Sequence, residues 1–110
     1  MGDINRCIVS GRLVKNPTLY YIERNNEQVA VCQFSIASDR GHRKNPNYID
    51  IVVWREYGES CANHLVAGQE VTVDGKIVTR FRIDNGKNIK ITELHAEEVK
   101  FGQKPKNESK

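Results

Sequence analysis

The chain has 110 residues, 38% of them hydrophobic, and a formal net charge of +3, which is enough for one small core and excludes two domains. No apolar run approaches the ~18 residues of a spanning helix, and Met1-Gly2-Asp3-Ile4-Asn5-Arg6 lacks the apolar stretch of a secretory signal, so a cytoplasmic location is expected. Cys7, Cys32 and Cys61 are widely spaced with no CxxC pair; they indicate neither a disulfide framework nor a zinc site and read as small buried residues.

Residues 5–14 alternate, with Cys7, Val9 and Leu13 on one side and Gly11 in phase between them. This predicts a first strand with a kink or bulge at the glycine. Asn16-Pro17 breaks it. Leu19 to Ile22 is a short strand at most, followed by a turn at residues 24–27. Residues 28–38 form a second long strand with Ala30, Cys32, Phe34 and Ile36 as its core face. A polar, basic loop covers residues 39–47. Tyr48 to Trp54 is the third strand: Ile49, Ile51 and Val53 point one way, Tyr48, Asp50, Val52 and Trp54 the other. Residues 56–66 have helical spacing, with Tyr57, Cys61 and Leu65 in line and Gly68 as the expected stop. Residues 70–79 are a fourth strand with a central Gly75. Asn85-Gly86 signals a hairpin turn, and residues 88–99 are the fifth strand, with a bulge expected near Thr92 and Glu93.

Three strands, one short helix and two strands, with glycines where a small barrel must bend, is the layout of an all-β, five-stranded Greek-key barrel of the oligonucleotide-binding (OB) type. The expected division is an OB domain over residues 1–101 and a disordered basic tail over 102–110. In such a fold the face around strands 2 and 3 commonly takes oligonucleotides or sugars.

The charge distribution fits a nucleic-acid surface made by segregation, not by excess. Four lysines against Glu108 in residues 100–110 account for the whole net charge, while the body is balanced. Within the body, Arg40, Arg43 and Lys44 gather in one loop and Arg80, Arg82, Lys87 and Lys90 around the last hairpin, with acids collected elsewhere. Solvated charged faces would look similar.

Binding single strands requires aromatic faces for bases and cations for phosphates. Tyr48 and Trp54 share a face, ~20 Å apart at a rise of ~3.3 Å per residue, opposite the aliphatic core set; the competing role for Trp54 is to cover a barrel end or a subunit contact. Asp50 between them would repel phosphate and accept a hydrogen bond from a base or pair with an arginine. Arg55 either reaches a phosphate or is an idle exposed side chain. His42 is placed to stack within its basic loop. Phe81 is either a packed hinge or a stacking platform, and the plane of Arg82 can also stack. His64 and His95 read as structural. Phosphate loops, dinucleotide fingerprints, HExxH and GxSxG are missing, and no metal or cofactor is indicated, so no enzyme is expected.

The chain resembles bacterial single-stranded DNA-binding proteins over residues 4–101. The carriers are Asn5 to Leu13, Asn16-Pro17 through Tyr21, Val29-Ala30-Val31 with Phe34, Ile49 to Arg55, Ala62, Leu65 and Gly68, Val73 to Ile77 with Thr79-Arg80, Thr92-Glu93 and Ala96 to Val99. The resemblance implies an OB-fold homotetramer that binds single-stranded DNA during replication, repair or recombination in the bacterial nucleoid, or a phage or mobile-element form. It places Tyr48, Trp54 and His42 at stacking positions, Arg82 where many members carry a fourth aromatic, and Arg6, Arg55, Lys76 and Arg80 as phosphate contacts. Typical members continue into a tail with an acidic tip that recruits replication proteins; this chain stops at Lys110, so no tail-tip recruitment is expected of it. The alternatives are a dimeric primosomal OB protein, an OB module that binds a protein partner, and, least supported, a nuclease.

Overall fold

The computed structural model describes residues 2–42 and 44–106. Six strands and one helix follow in the order β1 (Cys7–Leu13), β2 (Thr18–Arg24), β3 (Glu27–Ser38), β4 (Asn47–Trp54), α1 (Arg55–His64), β5 (Glu70–Asp84) and β6 (Lys87–Phe101). Pairing runs β1-β5-β6-β4-β3-β2, and β1 also pairs with β3. The expected five strands therefore close into a ring, β1-β5-β6-β4-β3 and back to β1, with the helix after the third of them. This is the OB barrel. The sixth strand, β2, lies outside the ring as an edge on β3, joined to it by Asn25-Asn26, both with positive φ (50° and 64°), the geometry that lets two asparagines turn a tight hairpin.

Alternation builds the core. Cys32, Phe34 and Ile36 from β3, Ile51 and Val53 from β4, Val71 and Val73 from β5, Leu94 and Val99 from β6, and Cys61 and Leu65 from the helix region form one buried cluster with Leu13. Burial pushes the thiols of Cys32 and Cys61 up to about 11 and about 12, so both are inert as nucleophiles. The hydroxyl of Tyr57 donates to the Val99 carbonyl and accepts from the Val99 N–H, fastening α1 to β6.

The mid-strand glycines are points of close approach. A Cβ at Gly11 would lie 2.6 Å from the Ala37 carbonyl oxygen, where β1 leaves β5 for β3; one at Gly75 would lie 2.1 Å from the His95 carbonyl oxygen. The β5–β6 register shifts here: Asp74 opposes Glu98 and Gly75 opposes Ala96, so Glu97 is the extra residue of a bulge. The sequence reading puts this bulge near Thr92 and Glu93, on the assumption that Ile91 faces the core; Ile91 instead lies on the outer face, and the core phase changes between Ala96 and Val99. The helix ends at His64, capped by the Leu65 N–H on the Cys61 carbonyl, and Gly68 belongs to the next turn, where Gln69 N–H donates to the Val66 carbonyl. Main-chain pairing continues just past residue 101: Gly102 N–H donates to the Glu70 carbonyl and Glu70 N–H to the Gln103 carbonyl. Residues 107–110, the end of the expected tail, lie outside the described residues. Among the described residues no helix is long and apolar enough to cross a membrane.

Candidate nucleic-acid interface

The outer face of β4 carries Tyr48, Asp50, Val52 and Trp54, because Ile51 and Val53 occupy the core. Register extends this face sideways. Trp54 opposes Val31, and Val31 opposes Tyr20 on β2; Asp50 opposes Ser35, whose hydroxyl donates to the Asp50 carboxylate at 2.6 Å. On the other flank, β4 meets β6 in parallel at Ile51–Leu94 and Val52–His95. There the long β5–β6 hairpin places His95, Glu93 and Ile91 opposite Lys76, Val78 and Arg80. Between the flanks runs a groove of about 480 Å³ lined by Lys15, Gln33, Asp50, Arg80, Arg82 and Glu93, among others.

Trp54 is the most constrained member of this face. It ends β4 with extended backbone and is followed at once by Arg55 in the left-handed region (φ 65°), which turns the chain into α1. Its indole N–H donates to Nδ1 of His95 at 3.0 Å, and the Arg24 guanidinium lies over the ring at 5.3 Å from its centroid, within reach of a cation–π contact. An indole N–H can only donate. Nδ1 of His95 therefore accepts, its ring proton sits on Nε2, and Nε2 donates to Glu93 Oε1 at 3.2 Å. Glu93 also accepts from Arg80 Nε and Nη2 at 3.3 and 3.1 Å.

Glu93 is only 5% exposed. Burial alone would push its carboxyl up, but the hydrogen bonds from Arg80 and His95 and the charge of Arg80 outweigh burial and hold it below the ordinary carboxylate range. Folding thus favours the ionised form. Its contribution to stability is complete at neutral pH and is lost as pH falls through the depressed value. Urea unfolding between neutral pH and about pH 3 should show stability falling with pH, with the Glu93→Gln variant less stable at neutral pH and less sensitive to acid.

The sequence-derived site residues divide into groups. Tyr48 stands 68% exposed, and Trp54, Arg80, Arg82 and Lys76 share its side of the barrel by register. Arg80 is tied to Glu93, and Lys76 lies 3.6 Å from the Glu97 carboxylate. Phe81, 67% exposed, pairs with Lys90 on the opposite face of the hairpin from Arg80 and Arg82. Arg55 is exposed, 4.0 Å from Glu27. Arg6 lies on the β1–β5 side in a two-pronged pair with Asp74 (3.2 and 2.6 Å). His42 is exposed in the β3–β4 loop, which is held by Gly41 N–H on the Asp39 carboxylate and Lys44 N–H on the Gly41 carbonyl. Lys44 lines a second cleft with Arg12, Glu70 and Lys100, apart from the groove. Arg43 lies outside the described residues. Among the described residues no group of three or more His, Cys, Asp or Glu side chains is placed to hold a metal ion.

Sequence reasoning missed Tyr20, Arg24, Lys15, Gln33 and Glu93 at this face, and placed His95 only as structural. Pairing residues 18–24 with 27–33 across Asn25-Asn26 would have brought Tyr20 and Arg24 to the face. Nothing in the sequence distinguishes Glu93 from a solvated strand acid.

Residues 4–102 match the Single-strand binding protein family. The chain is 41% identical over 103 residues to Single-stranded DNA-binding protein 2 of Clostridium acetobutylicum, covering 89% of this chain and 76% of that protein. It is 39% identical over 110 residues to the protein of the same name from Listeria monocytogenes, covering 94% and 66%, and 38% identical over 105 residues to Single-stranded DNA-binding protein of Oceanobacillus iheyensis, covering 89% and 63%. The chain thus spans roughly two thirds to three quarters of these relatives' lengths, and their names describe binding, not catalysis. In fold it is similar to the structure titled Plasmodium falciparum SSB complex with ssDNA, with a TM-score of 0.79 and 24% identity over 94% of this chain and 98% of that one. On the match across nearly its whole length and on these identities, the chain belongs to the Single-strand binding protein family.

Proposed function

We propose that this protein binds single-stranded DNA with little sequence specificity and protects it during replication, recombination or repair. One observation carries the reading: Tyr48 and Trp54 stand on a single outer face, backed by the core residues Ile51 and Val53 and bordered by Arg24, Arg80 and Arg82. Aromatic faces accept any base, and only unpaired bases offer theirs. Arg82 and Lys15 line the groove as cations for the phosphates, with Lys76 alongside; His42 in the β3–β4 loop and Lys44 at the second cleft extend the contact, and Arg43 joins them by its place in the sequence alone. Arg55 and Arg6 contribute from outside the groove, and Phe81 from the other face of the β5–β6 hairpin. The reading includes a homo-oligomer in the cytoplasm, a tetramer by the family's pattern and a dimer in the primosomal alternative, which light scattering separates.

Trp54 is the only tryptophan, so its emission reports the site directly. Titration with oligo(dT) should quench it strongly and duplex DNA of equal length should not. Affinity should fall with salt by a log–log slope of about −0.7 per phosphate neutralised. Equal responses to both ligands, or none to either together with no retention in a label-free assay, would overturn the reading in favour of a protein-partner module.

A further inference from the structure

The sequence marks His95 as a structural histidine and Glu93 as one acid among several, yet the two join β6 to the ring of Trp54 on β4 through one line of hydrogen bonds, Arg80–Glu93–His95–Trp54. We propose that His95 is a positioning residue for nucleic-acid binding: it fixes the Trp54 indole in the orientation that presents its face to a base. The inference rests on the single-strand reading above and names the group that pre-organises the stacking platform.

The indole N–H is its ring's only polar group, and its partner in this partly buried setting is His95 Nδ1. The His95 ring is itself held, with its Nε2–H on a carboxylate that is 5% exposed and doubly bonded by Arg80. The two rings meet with centroids 6.0 Å apart, tilted by 41°, so the imidazole braces the indole edge and does not occupy the ring face by stacking on it. An aromatic platform held in one orientation loses less rotamer freedom when a base arrives, which raises affinity without any direct contact from His95 to the ligand. Tyr48 has no comparable brace among the described residues.

The test compares His95→Leu, which fills space but cannot accept the indole N–H, with His95→Gln, whose amide can accept from Trp54 and donate to Glu93. His95→Leu should weaken oligo(dT) binding about ten-fold, the order expected when one hydrogen bond to a partly buried donor is removed, and should change the emission maximum and anisotropy of Trp54 in the free protein. His95→Gln should restore both to within about two-fold of the parent. Equal loss in the two variants, or no loss in either, overturns the proposal. A second arm covers a His95→Leu protein that folds poorly. With Trp54→Phe, which keeps a stacking ring and has no N–H to satisfy, adding His95→Leu should cost little further affinity. An undiminished cost in that background means the effect does not run through Trp54 and also overturns the proposal. If the parent protein binds no single strand at all, the functional reading fails. The emission of the free variants still reports whether His95 holds the indole, and unchanged spectra there reject the positioning role by themselves.

Discussion

Trp54→Ala is expected to weaken binding of oligo(dT) by ~1–3 kcal/mol, the worth of one base stacked on an aromatic side chain, which is roughly five- to 150-fold in affinity. The upper part of that range is expected, because the ring stands ready between the His95 imidazole and the Arg24 guanidinium. Tyr48→Ala should cost less: its ring is 68% exposed, and a strand must order it on arrival. The salt slope should stay where it was in both variants, since an uncharged stacking ring neutralises no phosphate. Arg82→Ala should do the reverse, lowering the slope by about 0.7 for each phosphate the side chain no longer neutralises, with only a modest change in Trp54 quenching. Fluorescence and label-free titrations at several salt concentrations separate the two patterns. A Trp54→Ala protein that binds as tightly as its parent would remove Trp54 from the interface.

The second large effect concerns the barrel itself. Gly75→Ala is expected to destabilise the fold by ~3 kcal/mol, the upper end of the usual cost of overpacking. The added methyl would sit 2.1 Å from the His95 carbonyl oxygen and 2.9 Å from the Ala96 Cα. Both are main-chain atoms of the neighbouring strand, so no side-chain rotation relieves the clash, and Ala96→Gly will not rescue it. The bulge at Glu97 lies beside this position, so β5 and β6 can part only by losing the register that aligns Glu93 and His95 with Trp54. Urea unfolding checks the loss of stability. Gly11→Ala, with its nearest obstruction at 2.6 Å, should follow the same direction with a smaller effect.

The legible parts of this molecule are those where one face is fully buried. Ile49, Ile51 and Val53 alternate against Tyr48, Asp50 and Trp54, which alone places both aromatics outside, and Asn85-Gly86 marks the long hairpin. Legibility fails where burial does not follow hydrophobicity. Strand β2 is exposed along most of its length, because as an edge it has only one neighbour to pair with, so its alternation carries little signal. Glu93 is among the most buried side chains although its type predicts solvent, and its burial is made tolerable by Arg80 and His95, which arrive from separate sequence positions. The misplaced bulge has the same origin: Ile91 is apolar but lines the groove, so apolarity there marked the wrong face. Charge counting shared this weakness. Arg6, Lys76 and Arg80 all read as available cations, and each stands beside a carboxylate that the sequence keeps far from it or gives no reason to pair with it.

The parallel pairing of β4 with β6 is two residue pairs long, Ile51–Leu94 and Val52–His95, whereas β5 and β6 pair along nearly their whole length. Such a short ladder, like the β1–β3 joint of two pairs that closes the ring elsewhere, opens at lower free energy than the long ladders, so the joint should breathe on its own, ahead of global unfolding. Trp54 and His95 stand on its two sides. Backbone amide exchange would therefore be faster at these two joints than along the long ladders, and the β4–β6 joint is the one where a ligand would sit. An oligonucleotide lying across the joint would hold its two sides together, and its affinity would be readable as slowed exchange in β4 and β6.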